Sequence, residues 1–395
     1  MSLPLEGLRV IEMGQLIAGP MAGRMLAEFG ADVIKIEPPG KGDPLRKWRM
    51  LHDGTSVWWA AQSRNKRSLT LDLRQEDGQN IARSLLKDAD VLIENFRPGT
   101  LEKWGLSWET LHELNPRLVV LSVSGYGQTG PYRDRPGFGV IGEAMGGLRH
   151  LSGELGRTPV RVGISIGDSL SALHGVIGVL LALRHRDAVD EGQQIDVALY
   201  ESVFNMMESL IPEYSVFDHI RQPAGSSLPG IAPTNAYRCR DGKYALIAGN
   251  GDSIFLRLME IINRPDLAGD PELAHNDGRV RQVEMLDSAI SDWTSQRSLT
   301  EVLASLHVGG IPAGKIYDAA DIANDPHYQA RDMLLKEQLP DGTSVLLPGI
   351  VPKLLATPGT LRSRAPELGE HTEEVLRELG MSEDDLERLK LKGTV

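Results

Sequence analysis

The chain has 395 residues, 24% charged and 41% hydrophobic, a balance that excludes wholesale disorder and allows two domains or one elaborated one. A net charge of −12 disfavours a broad nucleic-acid or anionic-membrane surface, so any anion must be held in a local basic pocket. The one cysteine, Cys239, excludes an internal disulfide and a cysteine-rich metal site and fits a reducing, cytoplasmic setting.

The opening "MSLPLEGLRVIEMG" lacks the basic region and apolar run of a signal peptide. "LRVIEM" reads as a buried strand. "GQLIAGP" is a loop, and Pro20 suits the first turn of a helix that runs to about Phe29 and stops at Gly30. "DVIKIE" is the next strand, which completes a βαβ unit. "SLTLDL" then reads as a strand, "EDGQNIARSLLKDA" as a helix, and "DVLIENF" and "RLVVLSVS" as strands. The apolar helix around "GISIGDSLSALHGVIGVLLAL" follows, then the strand "QQIDVALY" and a helix through "ESVFNMMESLI". This alternation predicts an α/β large domain with a mostly parallel sheet over residues 1–224. No stretch reads as a membrane span, since the best candidate, Val176–Leu183, is short and ends in Arg184-His185-Arg186.

The pattern changes at the Gly/Pro/Ser-rich "RQPAGSSLPGIAPTN", residues 221–235. The hairpin "AYRCRDGKYALIAG", turning at Asp241-Gly242, and the helices after it form a smaller α+β domain over 225–325. Residues 326–395 carry a second Asp-Gly turn at Asp341-Gly342. Two short helices follow, broken at Gly380, the second capped by Ser382.

The first βαβ loop does not carry a dinucleotide-binding glycine pattern, because its glycines at 14, 19 and 23 are too widely spaced. Zinc-binding, nucleophile-elbow and P-loop motifs are absent. Basic residues cluster at predicted strand ends, in "SRNKRSLTLDLR" and "ENFRPGTLEKWG", where they are either a solvated surface or a phosphate site. Asp168 stands just before an apolar helix. A cap and a nucleophile both need an ionised carboxylate there, so the local sequence leaves both readings open.

Taken together, "LEGLRVIEMGQLIAGPMAGRMLAEFGADVIKIEPPGKGDPLRKW", "NKRSLTLDLR", "DVLIENFRPGTLEKWG", "LNPRLVVLSVSGYGQTGP", "GISIGDSLSALHG" and "LGEHTEEVLRELG" resemble the family III CoA transferases across the chain. The resemblance implies a Rossmann-like large domain built from both ends of the chain and an interlocked homodimer. It implies coenzyme A thioesters as substrates, with no metal or prosthetic group and no nucleic-acid or membrane partner. It places the family's nucleophile on Asp168. Its CoA-binding segments fall on Gln15, Ile17 and Ala18, on Leu71, Asp72, Leu73 and Arg74, on Asn95, Phe96 and Arg97, and on Lys103. Backbone N–H groups near Ile17–Ala18 and the Ser226-Ser227 loop are the expected oxyanion donors, with Phe138 and Gly139 beside the reacting groups.

Racemases of the family carry a histidine where this chain has Phe138, which cannot exchange a proton, so transfer is favoured over racemisation, while an isomerase that moves CoA within one molecule stays the alternative, separated by exchange of label from free acid into acyl-CoA. A non-catalytic CoA-binding relative is disfavoured by the intact Asp168. The chain departs from the oxalate-using branch at Ile17 and in "PAGSSLPG", and from related transferases at Pro38, which replaces an arginine associated with the CoA nucleotide, and at Gly139, which replaces an acid. It looks most like members that use succinyl-CoA and a C4–C5 dicarboxylate such as malate, citramalate, itaconate or glutarate. Arg46 and Arg49 are the arginines expected to take the acceptor's second carboxylate.

Overall fold

A computed structural model describes residues 2–395. It divides into two compact units. The larger comprises residues up to Arg149, Arg161–His219 and Gln329–Val395; the smaller comprises His150–Val160 and Ile220–Tyr328. The short segment 150–160 joins the smaller unit although no shift in composition marks it in the sequence.

The larger unit is built on six parallel strands: β1 (Arg9–Glu12), β2 (Asp32–Glu37), β5 (Lys66–Thr70), β6 (Val91–Glu94), β7 (Val119–Ser124) and β8 (Gln194–Ala198). A two-residue hairpin, β3 (Leu51–His52) and β4 (Thr55–Ser56), interrupts the run. The sheet order is β5-β2-β1-β6-β7-β8, so the chain winds outward from β1, then returns to start again at β6. This is the doubly wound order, and its switch point lies between β1 and β6. Side chains alternate between the two faces. Val10, Val33, Val91 and Val119 join one apolar core, while Ile11, Ile34, Leu92 and Val120 join the other. Burial on both faces is why these strands read as continuous apolar runs.

One core is closed by the helix Glu76–Lys87 and by the C-terminal helices Thr372–Glu378 and Glu383–Leu391. Ser382 caps the last of these in a capping box with Asp385, as expected. The other core is closed by the helices Ala18–Glu28 and Ile166–Val189. Gly175 and Gly178 let the latter lie close on the sheet, because a Cβ at either would come within 2.8 Å of Leu121 or 2.9 Å of Ile195.

The helix Ile166–Val189 corrects the expectation about membrane-length segments. Among the described residues it is one helix long and apolar enough to cross a bilayer by length and composition. In this fold Ala172, Val176, Val179 and Leu183 pack into the core, while Leu173, Ile177, Leu180 and Leu181 face outward. The helix predicted through "ESVFNMMESLI" is two, Leu199–Phe204 and Leu210–Phe217.

In the smaller unit, β9 (Thr234–Arg238) and β10 (Tyr244–Ala248) form the predicted hairpin, with β11 (Ala313–Lys315) on the other edge of β10. Helices pack Phe255, Leu258, Ile290 and Val302 against this sheet. The hairpin β12 (Leu334–Gln338) and β13 (Ser344–Pro348) turns at Asp341-Gly342 and belongs to the larger unit.

Candidate active site

The site grows from the C-terminal ends of β1 and β6, where a doubly wound sheet opens a crevice. After β1 the chain makes a sharp loop through Gly14–Ile17 before the helix begins at Ala18. Leu16 sits in the left-handed region, φ 64°, which a leucine adopts only when its surroundings impose it. The constraints are explicit. Asn95, just past β6, accepts from Gln15 N (2.7 Å) and donates to Gln15 O (2.8 Å). Leu16 N donates to both carboxylate oxygens of Asp43, at 3.0 and 3.1 Å. Gln62 Nε2 donates to Ile17 O at 3.0 Å. The N–H groups of Ala18 and Gly19, which open the following helix, have no intrahelical acceptor, and Ala18 lines the crevice.

Beneath the loop lies a buried ionic cluster. Lys35 Nζ reaches Glu12 (2.9 Å), Asp43 (2.9 Å) and the Gly14 carbonyl (2.7 Å). Lys66 Nζ reaches Glu12 (2.7 Å) and the Pro20 carbonyl (2.7 Å). Burial works against the Lys35 charge, but Glu12 and Asp43 outweigh it and hold the ammonium above its usual range. For Lys66 burial wins, and the amine is pushed down to about 8. Asp43 is held below the usual carboxylate range despite its burial, by Lys35 and the N–H groups of Leu45 and Leu16. A charged lysine in the middle of an apolar strand, as in "DVIKIE", is the signal that could have revealed this cluster.

Asp168 lines a crevice of about 200 Å3 together with Gln15, Ala18, Asn95, Arg97 and Phe138. It is the third residue of its helix. Ser165 is the N-cap and makes no side-chain capping bond, so Asp168 is not the cap that its sequence position allowed. Its carboxyl pKa is raised to about 6, first by burial and then by the nearby Glu143, with Arg161 opposing. Gly139 lies directly against it: a Cβ there would overlap Oδ2 and stand 2.9 Å from the carboxyl carbon. Phe138, 64% exposed, precedes the helix Gly139–Met145. Arg133 and Arg135, which the sequence reading did not select, also line the crevice.

Other predicted residues lie elsewhere. Leu71 and Leu73 are buried in the core. Asp72 and Arg74 grip one another through Arg74 N, Nε and Nη2, and the hydrogen bonds from Arg74 hold the Asp72 carboxyl down at about 2. Lys103 ends the exposed turn Thr100–Lys103. Ser226 and Ser227 belong to the smaller unit, where they bond to Asn235 and to the Ala224 carbonyl. Arg46 does not suit the role expected of it. The residue is 7% exposed and its guanidinium is bidentate on Glu37 at 2.8 Å, with Nη1 on the Pro366 carbonyl. It walls a separate cavity of about 330 Å3 that does not include Asp168. Arg49 is exposed and stacks on Trp58.

Comparison with known proteins gives the family. A model described as CoA-transferase family III matches residues 5–372. The chain is 46% identical over 394 residues to a succinyl-CoA–D-citramalate CoA-transferase of Chloroflexus aurantiacus, covering 99% of this chain and 98% of that one. It is 35% identical to a succinate–glutarate CoA-transferase of Agrobacterium fabrum, over 95% of this chain and 96% of that one. A crystal structure of a CAIB/BAIF family protein from Brucella suis superposes with a TM-score of 0.85 at 35% identity, covering 96% of this chain and 100% of that one. The match runs through both halves of the sheet and the crevice between them, and the chain belongs to CoA-transferase family III.

Proposed function

We propose that this transferase moves CoA from succinyl-CoA to a C4–C5 dicarboxylate, with Asp168 as the covalent relay. The observation that carries the reading is the Asp168 carboxylate, on the wall of the switch-point crevice, in space that exists only because Gly139 has no side chain. The substrates follow from the named activities of the full-length relatives.

An Asp168 oxygen attacks the thioester carbonyl and expels CoA thiolate, leaving a succinyl–aspartyl anhydride. The thiolate attacks the aspartyl carbonyl and releases succinate, leaving an aspartyl–CoA thioester. The acceptor carboxylate attacks that thioester and expels the thiolate, which then takes the acceptor's acyl group and regenerates Asp168. The acyl bond stays activated throughout, so one difficult exchange becomes several smaller ones. Each tetrahedral oxyanion needs a preorganised donor, and the first-turn N–H groups after Ile17 are suited to that role. Arg97, Arg133 and Arg135 supply positive charge for CoA phosphates at the crevice.

The outward apolar residues of the helix Ile166–Val189, with Tyr214, Val216 and Phe217, fit burial against a second copy in an interlocked homodimer.

The test is chemical trapping. Enzyme incubated with succinyl-CoA and quenched with hydroxylamine carries a hydroxamate on Asp168, read by peptide mass spectrometry. Label on another residue refutes the relay.

A further inference from the structure

Helix Gly139–Met145, which brings Gly139 against Asp168, also carries Glu143. Glu143 is fully buried and holds two arginines at once, Arg149 Nε on Oε2 at 3.2 Å and Arg161 Nη2 on Oε1 at 3.3 Å. The cluster adjoins the reacting residue, since a Cβ on Gly167, the neighbour of Asp168, would lie 3.6 Å from Glu143 Cγ. Arg161 is also close enough to pull against the rise in the Asp168 pKa. The two arginines differ in access: Arg149 keeps 23% of its side chain exposed and Arg161 keeps 43%. Glu143 therefore anchors one end of the Arg161 fork while the rest faces outward.

The charges give this arrangement a purpose. Before reaction, Asp168 and Glu143 balance Arg149 and Arg161. Acylation of Asp168 removes one negative charge and leaves the cluster with a surplus of one positive. A carboxylate at the far end of the bound acyl group restores the balance, whereas a monocarboxyl acyl group does not. We infer that Arg161, anchored by Glu143 and supported by Arg149, binds the distal carboxylate of the acyl group and so selects dicarboxylic substrates.

This inference rests on the transfer reading above, and the experiment separates the two. Exchange of isotope-labelled free acid into acyl-CoA is followed by mass spectrometry for two pairs, succinate with succinyl-CoA and butyrate with butyryl-CoA. Incubations run for hours at micromolar enzyme, so that slow exchange is counted. The variants are Arg161→Gln and Arg161→Lys. Loss of a charge-assisted hydrogen bond lowers kcat/KM for the succinate pair about 10- to 150-fold in Arg161→Gln. The butyrate pair stays within a few-fold, KM for succinate rises more than kcat falls, and Arg161→Lys recovers part of the loss. Equal loss on both pairs, or an unchanged ratio, overturns the assignment while the wild-type exchange still supports transfer. Wild-type enzyme that exchanges neither pair overturns the transfer reading and this assignment with it.

Discussion

Replacing Asp168 with asparagine separates its chemical role from a structural one by the sign of the stability change. The Asp168 carboxyl is raised from 3.8 to about 6 in the folded protein, chiefly by burial and secondarily by Glu143. The native state therefore binds this proton more tightly than the unfolded chain does. Stability linked to the group is fully present below the unfolded pKa and is lost as pH rises from about 4 through about 6. A shift of that size corresponds to about 3 kcal/mol at most, and less here because the crevice admits solvent. Asp168→Asn removes the charge and keeps the shape, so the variant is expected to be about 1–3 kcal/mol more stable than wild type at pH 8. The difference narrows toward pH 5, and CoA transfer is abolished. Urea unfolding of both proteins at pH 5, 6.5 and 8 measures the trend. A capping aspartate predicts the opposite, a loss of about 1 kcal/mol with activity retained. A variant less stable than wild type at pH 8, or a difference that ignores pH, refutes the reasoning.

Two further substitutions probe the walls of the crevice. Gly139→Ala puts a methyl group where the Asp168 carboxylate lies, so transfer falls at least about 100-fold while the circular dichroism spectrum and dimensions stay those of wild type. Retained activity would show that the carboxylate does not need that space. Asp43→Asn replaces one of the two carboxylate oxygens on Leu16 N–H with an amide donor and removes the negative charge that partners buried Lys35. It should cost about 3 kcal/mol in urea unfolding and lower kcat more than it raises KM; an unchanged kcat would show that the loop holds its shape without Asp43.

Much of the large unit was legible because a strand buried on both faces announces itself as an apolar run. "DVIKIE" became β2 residue for residue, and the Asp-Gly turns marked both later hairpins. The reading of Asp168 as a cap failed by a small displacement. The helix starts at Ile166, two residues before the acid, and helix ends are weakly specified when no side chain makes the cap. Arg46 shows a different limit. The sequence gives an arginine near a strand end, but its partner, Glu37, is set by how the loop folds back across β2. Arg161 and Glu143 lie 18 residues apart on either side of an excursion into the smaller unit, so no local spacing links them. Family resemblance singled out Asp168, and the tertiary fold supplied the charges around it.

The segment that covers β5 has a consequence for synthesis on the ribosome. β5 is an edge of the parallel sheet, and its open side is occupied by residues from far along the chain: Ser68 O accepts from His371 N, Thr70 N donates to Thr372, and Asp72 N donates to the Thr394 carbonyl. During translation that edge waits, with its backbone groups unpaired, while residues 220–328 are made and form a separate body. A nascent chain stalled in the smaller unit would thus expose a sticky strand, and chaperones that shield exposed edges would have their longest task here.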